Sequence, residues 1–283
     1  MDQPGLLENV SDMPVRPKLA MCNFITDTDR LKRFAMDHGF DGIDWSFNLE
    51  LLPRTPVENS RWVKQMHSLA PLELRFHCPF MKVDIGHEDA GEVERAVGIY
   101  QRVIQLVSKA GGKYLTFHVG LGHHTTRILS WNDTIANLQK MVRYGAERGV
   151  VVCLENLAWG WTSKPNLFEK LVRYSGAGVT LDIGHAHACE AIHSQYYRVE
   201  DFVSPHPDRV FNAHIYHTEI SDVGHLPPQN VEEIQDRLEI LQNIGCTWWT
   251  LELKDVQSLL KTKSVVEAFF KQSNPLALCE YSA

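Results

Sequence analysis

No apolar run in this 283-residue chain approaches the roughly 20 residues that a membrane-spanning helix requires, so no span is expected. The opening residues, MDQPGLLENVSDMPVRPK, lack a basic start followed by an apolar block. No secretory leader is read there, and the cytoplasm is the expected location. The six cysteines, Cys22, Cys78, Cys153, Cys189, Cys246 and Cys279, include no CxxC pair. Scattered in this way, several of them inside apolar runs, they read as reduced, mostly buried thiols and exclude a disulfide frame or a zinc knuckle. Positive charge is short as well: 28 Lys and Arg face 35 Asp and Glu, for a net charge of −7. A protein that holds duplex DNA needs a basic footprint, so this balance counts against a nucleic-acid partner. No Gly-rich turn follows the first apolar run, as it would in a dinucleotide-binding open sheet, and there is no low-complexity tract or fixed-period repeat.

What the chain does have is alternation. Apolar runs of strand length occur at 19–25, 40–47, 72–77, 113–120, 150–156, 179–185, 209–217 and 247–254. Amphipathic helical spacing separates most of them, at 26–39, 56–69, 92–110, 132–148, 166–174 and 231–244, and a last helix follows at 256–270. Gly39, Gly111 with Gly112, and Gly149 supply stop signals. Parallel neighbouring strands need crossover connections, and eight strand-plus-helix units close a barrel. The expected fold is therefore α/β, a single-domain (β/α)8 TIM barrel, and the length suits one, since such barrels run to about 250 residues. The expected boundaries are an N-terminal arm at 1–17, the barrel at 18–272 and a C-terminal tail at 273–283. An open doubly wound sheet is the alternative.

The polar residues fall where such a barrel does its chemistry, at the C-terminal ends of the strands. In VTLDIGHAH (179–187) an apolar strand delivers Asp182, and His185 follows three residues later in the loop expected to leave the strand. His77, His118, Glu155, His214 and Glu252 end other strands in the same way. Any one of them alone reads as a hydrogen-bonded core histidine or an ion-paired glutamate. So many imidazoles and carboxylates converging on one mouth need a cation to offset the cost of burial, and a divalent metal is the usual solution. Oxygen and nitrogen donors without thiolates suit Mn²⁺, Co²⁺, Zn²⁺ or Mg²⁺. Mn²⁺ is the favoured choice.

The pieces FHCPF at His77, FHVG at His118, LEN at Glu155, LDIGHAH at Asp182 and His185, NAHIYH at His214, HLPP at His225 and LELK at Glu252 occur in order on successive strands. In that order the sequence resembles the xylose-isomerase-like TIM-barrel superfamily across about residues 19–270. That superfamily includes sugar isomerases and epimerases, inosose and 3-dehydroshikimate dehydratases, and endonuclease IV. In its epimerase and isomerase branch the resemblance implies one metal on Glu155, Asp182, His214 and Glu252, with Glu155 and Glu252 doubling as catalytic proton carriers on opposite faces of the substrate. His185 would then touch substrate oxygen or orient the site. In the endonuclease branch the resemblance implies His77, His118, His185 and His225 as further ligands of a three-zinc cluster. The chain departs from that pattern at Val223, where the endonuclease places an Asp two residues before the last His; Asp222 stands one place early.

The leading expectation is a divalent-metal-dependent isomerase or epimerase of a small sugar or sugar-like carbonyl compound, working by proton transfer through a metal-stabilised enediolate. An endonuclease IV-like zinc phosphodiesterase, a dehydratase on the same scaffold and a non-catalytic sugar or metal sensor are the alternatives. The expected partner is a small polyol or sugar derivative and no membrane, with a homo-oligomer left open. Lys254, two residues past Glu252, would share its face and could bind a phosphate or carboxylate. His123 and His124 read as solvent-exposed, and His217 as a packing or surface residue. Trp159 and Trp161 read equally as an aromatic wall for a sugar or as core. Trp248 and Trp249 should point to opposite sides of their strand.

Overall fold

The computed structural model describes residues 16–273, so nearly all of the expected arm and tail, at 1–15 and 274–283, lies outside the described residues. Eight strands close a barrel: β1 (Lys18–Cys22), β2 (Gly42–Ser46), β3 (Glu73–Cys78), β4 (Tyr114–Phe117), β5 (Val151–Glu155), β6 (Gly178–Asp182), β7 (Val210–Ile215) and β10 (Trp248–Leu251). Every neighbouring pair is parallel, and β10 returns to β1. The fold is a single α/β TIM-barrel domain, as the alternation of runs and helices predicts.

The helices form where local sequence supports them. Asp27, Thr55, Asp89 and Ser130 each accept a backbone N–H at the start of α1 (Thr28–Asp37), α2 (Pro56–Ser68), α3 (Ala90–Lys109) and α4 (Trp131–Ala146). At α2 the Thr55 and Glu58 side chains cap each other's backbone, with Pro56 at the first helical position. Gly111 and Gly149, expected stops, both take left-handed φ, at 76° and 71°. α5 (Pro165–Ser175) follows β5, and α9 (Val256–Ser273) closes the ring.

Three stretches depart from the expectation. β6 runs directly into a short helix, α6 (Ile183–Ala188), so His185 is helical instead of lying in a loop; α7 (Glu190–His193) comes next. Between β7 and the next helix the chain forms an antiparallel hairpin, β8 (Thr218–Ile220) with β9 (Gly224–Leu226). These strands are three residues each, too short to show an alternation in the sequence. The helix expected from residue 231 begins later, as α8 (Gln235–Asn243).

Period-two alternation sets which side chains enter the barrel. Inside it, the Arg75 guanidinium donates to Asn212 Oδ1 at 2.5 Å, and Thr116 and Thr180 hydroxyls meet at 2.7 Å with Asn212 Nδ2 donating to Thr180 at 3.0 Å. Trp248 belongs to this interior: its indole N–H donates to Thr250 at 3.0 Å, and Gly42 leaves room for the ring, since a Cβ there would lie 2.3 Å from Trp248 Cη2. Trp249 faces the other way, with its ring 5.3 Å from that of Phe270 on α9. Branched aliphatic residues dominate most barrels of this kind at these positions; here a polar network fills them. Two residues further along their strands come Asp44, His77, His118, Glu155, Asp182, His214 and Glu252. The alternation therefore aims all seven inward at the mouth. Cys22, Cys78, Cys153, Cys189 and Cys246 are free and buried, and Cys279 lies outside the described residues.

Candidate metal centre

His214 sits at the centre of the mouth. Its Nδ1 lies 3.0 Å from Glu155 Oε1, 3.0 Å from Glu252 Oε2 and 3.8 Å from Asp182 Oδ2. Donor atoms of Glu155, Asp182, His214 and Glu252 all fall within 4.8 Å of one another. All four residues are buried, Glu155, Asp182 and His214 completely. The far side of the imidazole meets Asp44 of β2, whose Oδ2 is 3.3 Å from His214 Nε2 and also accepts the Thr250 hydroxyl at 3.1 Å. This carboxylate fixes the ring and leaves Nδ1 for the mouth. Sequence reasoning missed Asp44, although a carboxylate in the middle of the apolar run 40–47 was the available signal.

Asp182 is both the last residue of β6 and the N-cap of α6. Its Oδ1 accepts the His185 backbone N–H at 2.6 Å, which is why the carboxylate and the imidazole are three residues apart. The Asn156 amide clamps the Asp182 backbone by donating to its carbonyl and accepting its N–H, both at 2.8 Å. The Asn of the LEN motif thus holds β5 and β6 in register at the site. Gly184 is required by its neighbour: a Cβ there would lie 2.0 Å from the Tyr216 ring.

Two more groups adjoin the centre. His77 Nε2 and His118 Nε2 lie 3.3 Å and 3.0 Å from Glu155 Oε2, and these three residues form a second donor set that shares Glu155 with the first. His185, Glu219 and His225 form a third set beside the hairpin. Glu219, also unforeseen from the sequence, stands directly across from His225 in the β8–β9 register. Val223 and Asp222 are at the exposed hairpin tip.

The electrostatics follow from packing several carboxylates together. Burial opposes ionising Glu155 and Glu252, but the charge on His214, with His118 for Glu155 and His225 for Glu252, outweighs it and holds both carboxyls well below the usual range. Burial also opposes protonating His214, yet Glu155, Glu252 and Asp44 raise its pKa well above that of a free imidazole. Asp182 is pushed up to about 6, chiefly by burial, with the Glu155 and Glu252 charges adding to it. For His185, burial is outweighed by Asp182, Glu219 and Glu155, which push it up to about 10. Among the protein groups alone, the imidazoles carry the counter-charge.

The donor set fits a divalent cation. Glu155 Oε2, Asp182 Oδ2 and Glu252 Oε2 are buried oxygens that face imidazole nitrogens at 3.0, 3.3 and 3.0 Å without an aligned hydrogen bond, and Asp44 Oδ1 is a fourth that makes none. Buried polar atoms are ordinarily satisfied, and a cation among the first three would satisfy them. No helix of the described residues is long and apolar enough to cross a membrane.

Lys254 is exposed beyond the end of β10, where strand alternation has stopped, so it does not share the buried face of Glu252. His123 is not solvent-exposed as expected: its Nε2 lies 2.8 Å from Oδ2 of buried Asp84, whose other oxygen accepts the Gly120 N–H. His124 is exposed. His217 packs beneath Arg237, which donates to its carbonyl at 2.7 Å. Trp161 is half-buried, edge-on to Trp131 at 5.1 Å, and Trp159 is half-buried as well.

Comparison with known proteins gives a consistent result. A family model described as xylose isomerase-like TIM barrel matches residues 33–271. An uncharacterized protein of Methanocaldococcus jannaschii is 26% identical over 196 residues, covering 69% of this chain and 80% of that protein. Among solved structures, a D-tagatose 3-epimerase-like protein superposes with a TM-score of 0.71 at 18% identity, covering 91% of this chain and 98% of the other. An L-ribulose 3-epimerase gives 0.70 at 17% identity, with 94% and 99% covered. Endonuclease IV from Thermus thermophilus gives 0.67 at 17% identity, with 90% and 100% covered. At such identities the likeness is one of fold.

Proposed function

The chain belongs to the xylose isomerase-like TIM-barrel family, and from that membership and its barrel mouth we propose that it is a divalent-metal-dependent isomerase or epimerase of a small sugar or sugar-like carbonyl compound. One observation carries the proposal: Glu155, Asp182, His214 and Glu252 bring donor atoms within 4.8 Å of one another around buried carboxylate oxygens that lack an aligned hydrogen bond. A divalent ion bound there supplies Lewis-acid polarisation of a carbonyl oxygen. Glu155 and Glu252, on β5 and just past β10, are separated around the barrel by β6 and β7. They flank the mouth, one positioned to take a proton from the carbon next to a carbonyl and the other to return it. Both are held ionised, so either can take the proton as a base, and the other returns one only after it has itself gained a proton from solvent. Mn²⁺ remains the favoured metal for an all oxygen-and-nitrogen set. The net charge of −7 supports a small substrate over nucleic acid.

The test is exchange of substrate protons with D₂O across a panel of ketoses and ketose phosphates, with Mn²⁺ present. Wild type should exchange and Glu252→Gln should not; full exchange in that variant would remove Glu252 from the proposed role. A second reading, a metal-dependent phosphodiesterase, is favoured by the His77, His118 and Glu155 set beside the central one. Nicking of abasic-site duplex DNA in zinc, absent in His118→Asn, would establish it in place of the first.

A further inference from the structure

We propose that Asp84 and His123 form a substrate-orienting pair at the rim of the barrel, in which Asp84 fixes the His123 imidazole so that Nδ1 accepts a hydrogen bond from a substrate hydroxyl remote from the metal centre. The proposal rests on the isomerase reading for its substrate class, a small polyol. Neither residue belongs to any of the metal-capable donor sets among the described residues.

Asp84 comes from the loop between β3 and α3, and His123 from the loop between β4 and α4. Asp84 is only 4% exposed, a rare place for a carboxylate unless it is paired. Its Oδ1 accepts the Gly120 N–H at 2.7 Å, and its Oδ2 lies 2.8 Å from His123 Nε2. A nitrogen lone pair cannot face an ionised carboxylate at that distance, so Nε2 presents its proton there. The N–H is not in line with Oδ2, and a small turn of the ring aligns it. In the neutral imidazole Nδ1 is then the acceptor, a partner for a hydroxyl and not for a phosphate oxygen, which has no proton to give.

The two loops do not need this pair to hold them together. The Lys82, Glu88 and Ser130 N–H groups already donate across the loops to the Leu121, Ile128 and Gly86 carbonyls, at 2.8, 2.8 and 2.7 Å. A buried charged contact adds little stability beyond such bonds, because desolvation offsets the attraction. Its place in the barrel suits substrate instead. Gly120, which Asp84 grips, lies two residues past the strand-end His118, and a Cβ on it would be 4.0 Å from Trp159 Cη2. Trp159 is half-buried on the neighbouring loop after β5, and its ring offers an apolar face for the C–H side of a polyol.

Nitrogen NMR of full-length protein with ¹⁵N-labelled histidine, in diamagnetic Mg²⁺, tests the pair without turnover. The His123 signals, assigned by their loss in His123→Gln, should show the Nε2–H tautomer in wild type and a mixture in Asp84→Asn. Among D-fructose, D-tagatose and L-ribulose, added in turn, at least one should shift His123 Nδ1. In the D₂O-exchange assay, His123→Gln should raise KM about 2- to 10-fold, the range of one hydrogen bond between neutral groups, with a smaller change in kcat. Asp84→Asn should follow it. For one monodeoxy analogue, which already lacks the hydroxyl concerned, wild type and His123→Gln should have equal KM; a pair that merely braced the loops would raise KM for every analogue alike. A His123 signal unmoved by all three ketoses, an unchanged KM in His123→Gln, or a penalty that persists across all monodeoxy analogues would overturn the proposal. A ketose that shifts His123 Nδ1 in wild type but exchanges no proton would support the pair and remove the isomerase reading instead.

Discussion

Asp44 offers the sharpest test of how the centre is held. Its Oδ2 is 3.3 Å from His214 Nε2 and 3.1 Å from the Thr250 hydroxyl, while the opposite nitrogen of His214 faces Glu155 and Glu252 at 3.0 Å each. Asp44 reaches the four central donors through that imidazole, and it is 1% exposed. Asp44→Asn keeps the shape and removes the charge, so His214 loses the partner that orients the ring and strengthens Nδ1 as a donor. Carboxylates that support a ligating histidine in this way are worth about 10- to 100-fold in metal affinity. At roughly 1.4 kcal/mol per decade, that range is about 1.4–2.8 kcal/mol. Competition against a chromophoric chelator, with Mn²⁺ or Zn²⁺ as the probe, reads the change directly. A urea melt of the chelator-treated variant separates weakened ligation from a damaged fold. An affinity equal to that of wild type, in an assay where Glu252→Gln binds weakly, would refute the role of Asp44 in orienting His214.

Three further outcomes follow from the same geometry. Gly184→Ala forces a methyl to within 2.0 Å of Tyr216, and overpacking of this kind costs about 1–3 kcal/mol; an unchanged urea midpoint would show that the ring moves aside freely. Trp249→Ala empties the contact between β10 and α9, where Phe269 and Phe270 lie 6.3 Å and 5.3 Å away, and should cost about 3–5 kcal/mol in the same melt. Metal affinity at the centre should fall as pH drops, already above neutrality because His214 must give up its proton to ligate and more steeply through about 6, where Asp182 gains its own. The sign follows because a cation binds the carboxylate and not the acid, so each displaced proton lowers apparent affinity by up to about tenfold per pH unit. Isothermal titration from pH 8 to 5 checks this, and a flat profile would contradict it.

The barrel and six members of the central cluster could be read from the chain because the governing rule is local. In a strand every second residue faces inward, and the polar residues at the ends of apolar runs, His77, His118, Glu155, Asp182, His214 and Glu252, stand out against their neighbours. Asp44 obeys the same rule but sits in the middle of its run instead of at its end, so its inward direction became visible only when β2 was paired with β1 and β3. His185 stands where the motif places it but in a different local structure, because the cap made by Asp182 converts the strand exit into a helical turn.

The order of strands and helices and the identity of the strand-end donors were thus legible in the linear chain, since hydrophobic period and capping are properties of neighbouring residues. Which donors meet was settled only when the chain closed on itself. His214 and Asp44 are 170 residues apart, and closure of the ring from β10 to β1 brings their strands to one mouth. Glu219 reaches His225 through the register of a hairpin too short to leave a periodic trace in the sequence. A carboxylate becomes a ligand through the company it keeps in space, and that company is set by barrel closure and strand register.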